Sequence, residues 1–147
     1  MLEAEQIFQE RYRLVRRLGQ RSVRDTWLAV DFMSDPPHDV VIKFLGGGHA
    51  LDWDHIKLFE REGNVLRSLE HPQIPAYREF FTLEDHGLWF ALIQDYIAGM
   101  SLAELVQQQS RLAEAQLRQI AEEALAILEY LHEQSPPILH RATSYWA

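Results

Sequence analysis

Between Tyr12 and Tyr96 the sequence sets out five strand-like segments and breaks them once with a helical period. YRLVRRL (Tyr12–Leu18) alternates apolar and polar residues, the period of a half-buried strand. DTWLAVD (Asp25–Asp31) reads as a second strand and VVIKFL (Val40–Leu45) as a third, apolar but for one lysine. The two prolines of SDPPHD (Ser34–Asp39) mark a turn between them, and GGGHA after Leu45 is a loop. From about Asp54 to Glu70, Ile56, Phe59, Val65, Leu66 and Leu69 recur at helical spacing, and HPQIP ends the helix with two prolines. YREFFTL and LWFALIQDY then flank EDHG, a hairpin turn. Connections this short join antiparallel strands. The expected fold is therefore α+β, a five-stranded antiparallel sheet with one embedded helix, followed by helices.

The helical part opens at SLAE, where Ser101 caps the backbone and Glu104 reaches back, predicting a short helix to about Gln108. A long helix follows from about Ala113 to Gln134, with an apolar stripe of Leu117, Ile120, Ala121, Ala124, Leu128 and Leu131. The expected division is an N-terminal extension over 1–11, a sheet-bearing region over 12–97 and a helical region over 98–147.

Charge and composition exclude several functions. A net charge of −8 disfavours nucleic acid, which needs clustered Lys and Arg. The one basic cluster, RYRLVRR, reads as the solvent face of a strand. Without cysteine there are no disulfides, thiolate zinc sites or cysteine nucleophiles. The acidic, amphipathic start is unlike a signal peptide, and no apolar run reaches the ~20 residues of a membrane span, so a cytoplasmic chain is expected. HALDWDH lacks a recognisable metal-ligand spacing and reads as a loop entering a helix. GGG is followed by no Lys-Ser/Thr, so it is not a P-loop, and Ser135, Ser144 and His140 make no triad with any acidic residue nearby in sequence.

Two charges sit in apolar settings. Alternation puts Lys43 on the face of Val41 and Leu45. On the Asp54–Glu70 helix, Glu62 falls inside the arc bracketed by Phe59, Leu66 and Leu69, while Glu60 lies near its far border. A carboxylate and an ammonium each held against a core need partners. A Lys43–Glu62 pair between strand and helix satisfies both, as a purely structural ion pair or as part of a site.

The segments LGQRSVRDTWLAVD, VVIK, FEREGNVLRSLEHPQIP, LIQDYIAGMSL and ILHR stand in the order and spacing of protein kinases. From about Tyr12 to Arg141 the chain resembles the small lobe and first large-lobe helices of a bacterial serine/threonine kinase of the eukaryotic type. The resemblance implies ATP and magnesium as cofactors. It implies that Lys43 holds the α- and β-phosphates and that Glu62 pairs with it. Gln94 matches the gatekeeper, and Asp95, Tyr96 and Ile97 the hinge whose backbone binds adenine. Leu18, Ala29 and Val41 match the roof over adenine, Gly19 the first glycine of the phosphate loop, and His140 and Arg141 the start of the catalytic loop.

The sequence also departs from the family. Arg21 and Arg24 stand where the second and third glycines of the loop belong, and an arginine cannot copy a glycine's close backbone approach to phosphate. Its guanidinium offers a direct phosphate contact instead. Ala142 replaces the aspartate expected after Arg141, and no Asp or Glu occurs after Glu133. The expectation is a kinase homologue cut inside its catalytic loop and inactive alone. The alternative is a binding module that docks a protein partner or self-associates through the Ala113–Gln134 helix, with weak or no ATP binding.

Overall fold

The computed structural model describes residues 2–21, 23–46, 53–83, 89–108 and 112–139. The chain divides into two compact units, Met1–Ile97 and Ala98–Ala147. The first holds a six-stranded antiparallel sheet in the order β1-β2-β3-β4-β6-β5. Its elements are β1 (Ile7–Phe8), β2 (Tyr12–Arg21), β3 (Arg24–Asp31), β4 (His38–Leu45), α1 (Trp53–Ser68), β5 (Tyr77–Leu83) and β6 (Trp89–Asp95). The sheet has six strands where periodicity predicts five. Ile7–Phe8 pairs with Tyr12–Arg13, and two residues are too few for a period to register.

β4 is the axis of this unit because it is apolar on both faces. Val40, Ile42 and Phe44 are fully buried with Trp27, Ala29 and Ile93 on one face. The N-terminal segment helps to cover that face, with Leu2 and Phe8 buried and the Phe8 and Phe44 rings 5.1 Å apart. On the other face Leu45 clusters with Phe90, Leu92 and Val23 under Ile56 and Phe59 of α1. Gly63 sets the approach of the helix. A Cβ there would meet Cδ2 of Phe80 at 3.2 Å, tighter than most packing contacts, so the absence of a side chain lets α1 sit close to β5.

Arg11, Arg13 and Arg17 of the basic run are paired within the fold. Tyr12 and Leu14 point into the core while Arg13, Arg16 and Arg17 are exposed. Arg13 lies 3.8 Å from Glu5, and Arg17 lies 3.1 Å from Asp25 with its guanidinium over the Trp27 ring. Arg11 forks onto Asp31, donating from Nε at 3.0 Å and from Nη2 at 2.7 Å. Asp31 is 1% exposed and also accepts the Met33 amide. Beside it, the Tyr12 hydroxyl donates to Glu79 at 2.6 Å.

In the second unit, α2 (Leu102–Gln108) starts from the Ser101 capping box, with Ser101 Oγ accepting from the Glu104 amide and Glu104 accepting from the Ser101 amide. α3 (Glu114–His132) has Gln116 reaching back to the Ala113 amide. Along the expected stripe Leu131 is buried, while Leu117 is half exposed. Among the described residues no helix is long and apolar enough to cross a membrane.

The hydrogen bonds from Arg11 hold the Asp31 carboxyl below its ordinary value, against a burial that would raise it. A depressed folded-state pKa stabilises the fold above the unfolded value of about 3.9, and this contribution is lost as pH falls through the folded value. Urea midpoints are therefore expected to drop as pH is lowered below about 4. Asp31→Asn is expected to cost about 1–3 kcal/mol at pH 7 and to flatten that acid limb. An Asp31→Asn chain with an unchanged acid limb would contradict this assignment.

Candidate functional site

The site is built on the α1 side of the sheet. Direct partners in an antiparallel ladder share a face. Thr26, Lys43 and Leu92 form one such row, and Arg24, Leu45 and Phe90 form the next. Lys43 thus emerges from the middle of an apolar strand toward α1. Its Nζ lies 2.6 Å from Oε1 of Glu62. The other carboxylate oxygen, Oε2, lies 3.2 Å from Nη1 of Arg24. Arg24 in turn packs its guanidinium over the ring of Phe59, 5.6 Å from the centroid. The three side chains are partly shielded, with Lys43 at 28%, Glu62 at 27% and Arg24 at 40% exposure. Glu60, on the far side of the helix, is exposed.

Arg24 is the residue that sequence reasoning missed as a member of this cluster. Considered as a lost glycine, it suggested only a phosphate contact. Strand parity carried the signal, because Arg24 is two residues before Thr26 and so shares the Lys43 face. Its position also depends on the hairpin tip. Arg21 pairs with Arg24, closing the connection to two residues. Val23 is buried against Ile56 and Phe59, and its carbonyl accepts from the Gly46 amide at 3.0 Å. The segment that resembles a phosphate loop is therefore a tight hairpin anchored on α1. Gly19 is paired with Thr26, and a Cβ at Gly19 would meet nothing within 4 Å, so this position does not demand glycine.

The other expected site residues divide. Val41 shares the Lys43 face and is buried. Leu18 is 37% exposed and sits at a register shift in β2. Gln94 pairs with Val41, and its Oε1 is buried with no hydrogen-bond partner among the described residues. Ala29 is not brought to the site. It is fully buried in the opposite-face cluster with Val40 and Ile42, an odd number of residues from Thr26 along β3. The β3 residues that share the Lys43 face are Arg24, Thr26, Leu28 and Val30. Asp95 directs its carboxylate into a fork with Arg78, and its amide donates to the Ala76 carbonyl at 2.9 Å. The Tyr96 amide faces the Asp39 carbonyl at 3.4 Å, and Ile97 is 61% exposed. His140 and Arg141 lie outside the described residues, as do Tyr145, Trp146, the EDHG turn and the first part of HALDWDH.

For a nucleotide, this donor set fits in part: a fixed ammonium, a second cation, an apolar strand face and an unsatisfied amide oxygen. For magnesium, no group of three His, Cys, Asp or Glu side chains lies together among the described residues.

If Glu62 bridges two cations, removing it is the costlier change. Glu62→Ala leaves Lys43 and Arg24 facing each other unpaired and is expected to cost about 1–3 kcal/mol. Lys43→Met leaves Glu62 its bond to Arg24 and is expected to cost less. Urea denaturation of the two variants checks this order, and equal losses would count against a shared carboxylate.

Comparison with known proteins follows the same lines. The model of the protein kinase domain family matches residues 13–142. Serine/threonine-protein kinase D of Synechocystis sp. is 36% identical over 138 residues, covering 90% of this chain and 26% of the relative. Serine/threonine-protein kinase-like protein E of the same organism is 33% identical over 130 residues, covering 85% of this chain and 20% of the relative. Serine/threonine-protein kinase PrkC of Bacillus subtilis is 28% identical over 131 residues, covering 89% and 19%. The chain thus spans between about a fifth and a quarter of the length of these relatives.

Proposed function

The chain belongs to the protein kinase domain family, and on that premise we propose that its sheet-bearing unit is the nucleotide-facing part of a serine/threonine kinase site. The observation that carries this reading is the 2.6 Å contact between Lys43 and Glu62. A lysine fixed by a helix carboxylate keeps its charge aimed along one face of the sheet, where it can meet phosphate oxygens. When bound, ATP supplies the transferable phosphoryl group. Lys43 would hold its phosphates, Val41 and Leu18 would give apolar contact, and Gln94 and the Ile97 backbone would meet the base.

Transfer requires more than binding. The position after His140–Arg141 is Ala142, which cannot accept a proton from a substrate hydroxyl. Loss of a general base alone costs on the order of 10²–10⁴ in rate. A polypeptide of these 147 residues is therefore read as a nucleotide-binding unit without phosphotransferase activity of its own.

Calorimetric titration with ATP, paired with a radiolabelled phosphotransfer assay, tests both halves. The expected result is binding that Lys43→Ala weakens by about tenfold or more, with no transfer above background. Absence of ATP binding would overturn the first half, and transfer abolished by Lys43→Ala would overturn the second.

A further inference from the structure

Two cations on one sheet face share a single carboxylate. Arg24 and Lys43 stand on adjacent strands, Arg24 opposite Leu45 and Lys43 opposite Thr26, both toward α1. Glu62 gives one oxygen to each, at 3.2 Å and 2.6 Å. The cluster therefore keeps one net positive charge, and both cationic side chains are partly open to solvent. The hydrogen bond to Glu62 uses one N–H of a guanidinium that carries five.

We propose that Arg24 and Lys43 together form a side-chain receptor for the phosphate chain of a nucleoside triphosphate, and that it binds this chain without a divalent cation. The inference rests on the nucleotide reading above and extends it to a residue and a ligand state. Three features support it. The β2–β3 connection is drawn into strand pairing up to Arg21 and Arg24, with Val23 in the core, so side chains rather than an open glycine loop face the ligand. Arg24 is preorganised by the Phe59 ring beneath it and by Glu62 beside it, which lowers the entropy lost on binding. Two cations and one carboxylate give a polyanion two cationic contacts and one net positive charge, but offer a metal ion a single ligand.

The test is calorimetric titration of the 147-residue chain in EDTA, with ATP and separately with tripolyphosphate. Arg24→Gln, which retains a donor for Glu62, and Arg24→Gly are compared with the unaltered chain, and circular dichroism checks that each variant folds. Both ligands are expected to bind without metal and to bind about 10- to 100-fold more weakly in either Arg24 variant. If ATP binds and depends on Lys43 while the Arg24 variants bind equally or more tightly, the receptor is overturned and the nucleotide reading stands. If tripolyphosphate binds through Arg24 but ATP does not bind, the receptor stands and the nucleotide reading falls. If neither ligand binds until magnesium is added, the proposal is overturned. If Arg24→Gly does not fold, Arg24→Gln decides the question alone.

Discussion

The Glu62 carboxylate is the constraint around which the sheet-bearing unit is arranged. It sits about a quarter exposed on a helix whose neighbouring side chains, Phe59 and Ile56, are in the core. A carboxylate there carries a desolvation cost that one well-placed cation offsets in part and two offset further. Its oxygens take Lys43 from β4 and Arg24 from β3, so a single side chain ties one helix to two strands. The same contacts require α1 to lie close to the sheet, and Gly63 against Phe80 permits that approach. Packing and electrostatics thus demand the same helix position.

Replacing glycines in the hairpin changes what that region can offer a ligand. An open glycine loop presents backbone amides. Here the strands zip up to Arg21 and Arg24, Val23 supplies an apolar anchor, and the polar work passes to long cationic side chains. Backbone amides hold position well and carry only partial charge. Guanidinium and ammonium groups carry a full charge, and here they are held by one carboxylate and one aromatic ring. The chemistry that survives the substitution is attraction for anions, which is why the nucleotide reading and the arginine proposal share a face of the sheet.

Much of this was legible in the sequence, and the rest was hidden for identifiable reasons. The seven residues of β5 and the sixteen of α1 lie where alternation and helical spacing put them, give or take two residues at the helix ends. The meeting of Lys43 and Glu62 followed from two charges that each needed a partner. β1 escaped because two residues have no period. Motif matching puts Ala29 in the roof, whereas face parity on β3 sends it to the opposite side. The partners of Asp31 and Asp95 lie 20 and 17 residues away, and no local pattern announces them. Arg24 was hidden by its setting, since an arginine in a glycine's place is first noticed for what it removes.

The most direct test of the account is a pair of double-mutant cycles on unfolding free energy, Arg24 with Glu62 and Lys43 with Glu62. If one carboxylate binds both cations, each pair should show a coupling on the order of 0.5–3 kcal/mol, beyond the sum of its single effects. Additive behaviour for Arg24 and Glu62, alongside coupling for Lys43 and Glu62, would contradict the shared carboxylate and return the site to a simple ion pair.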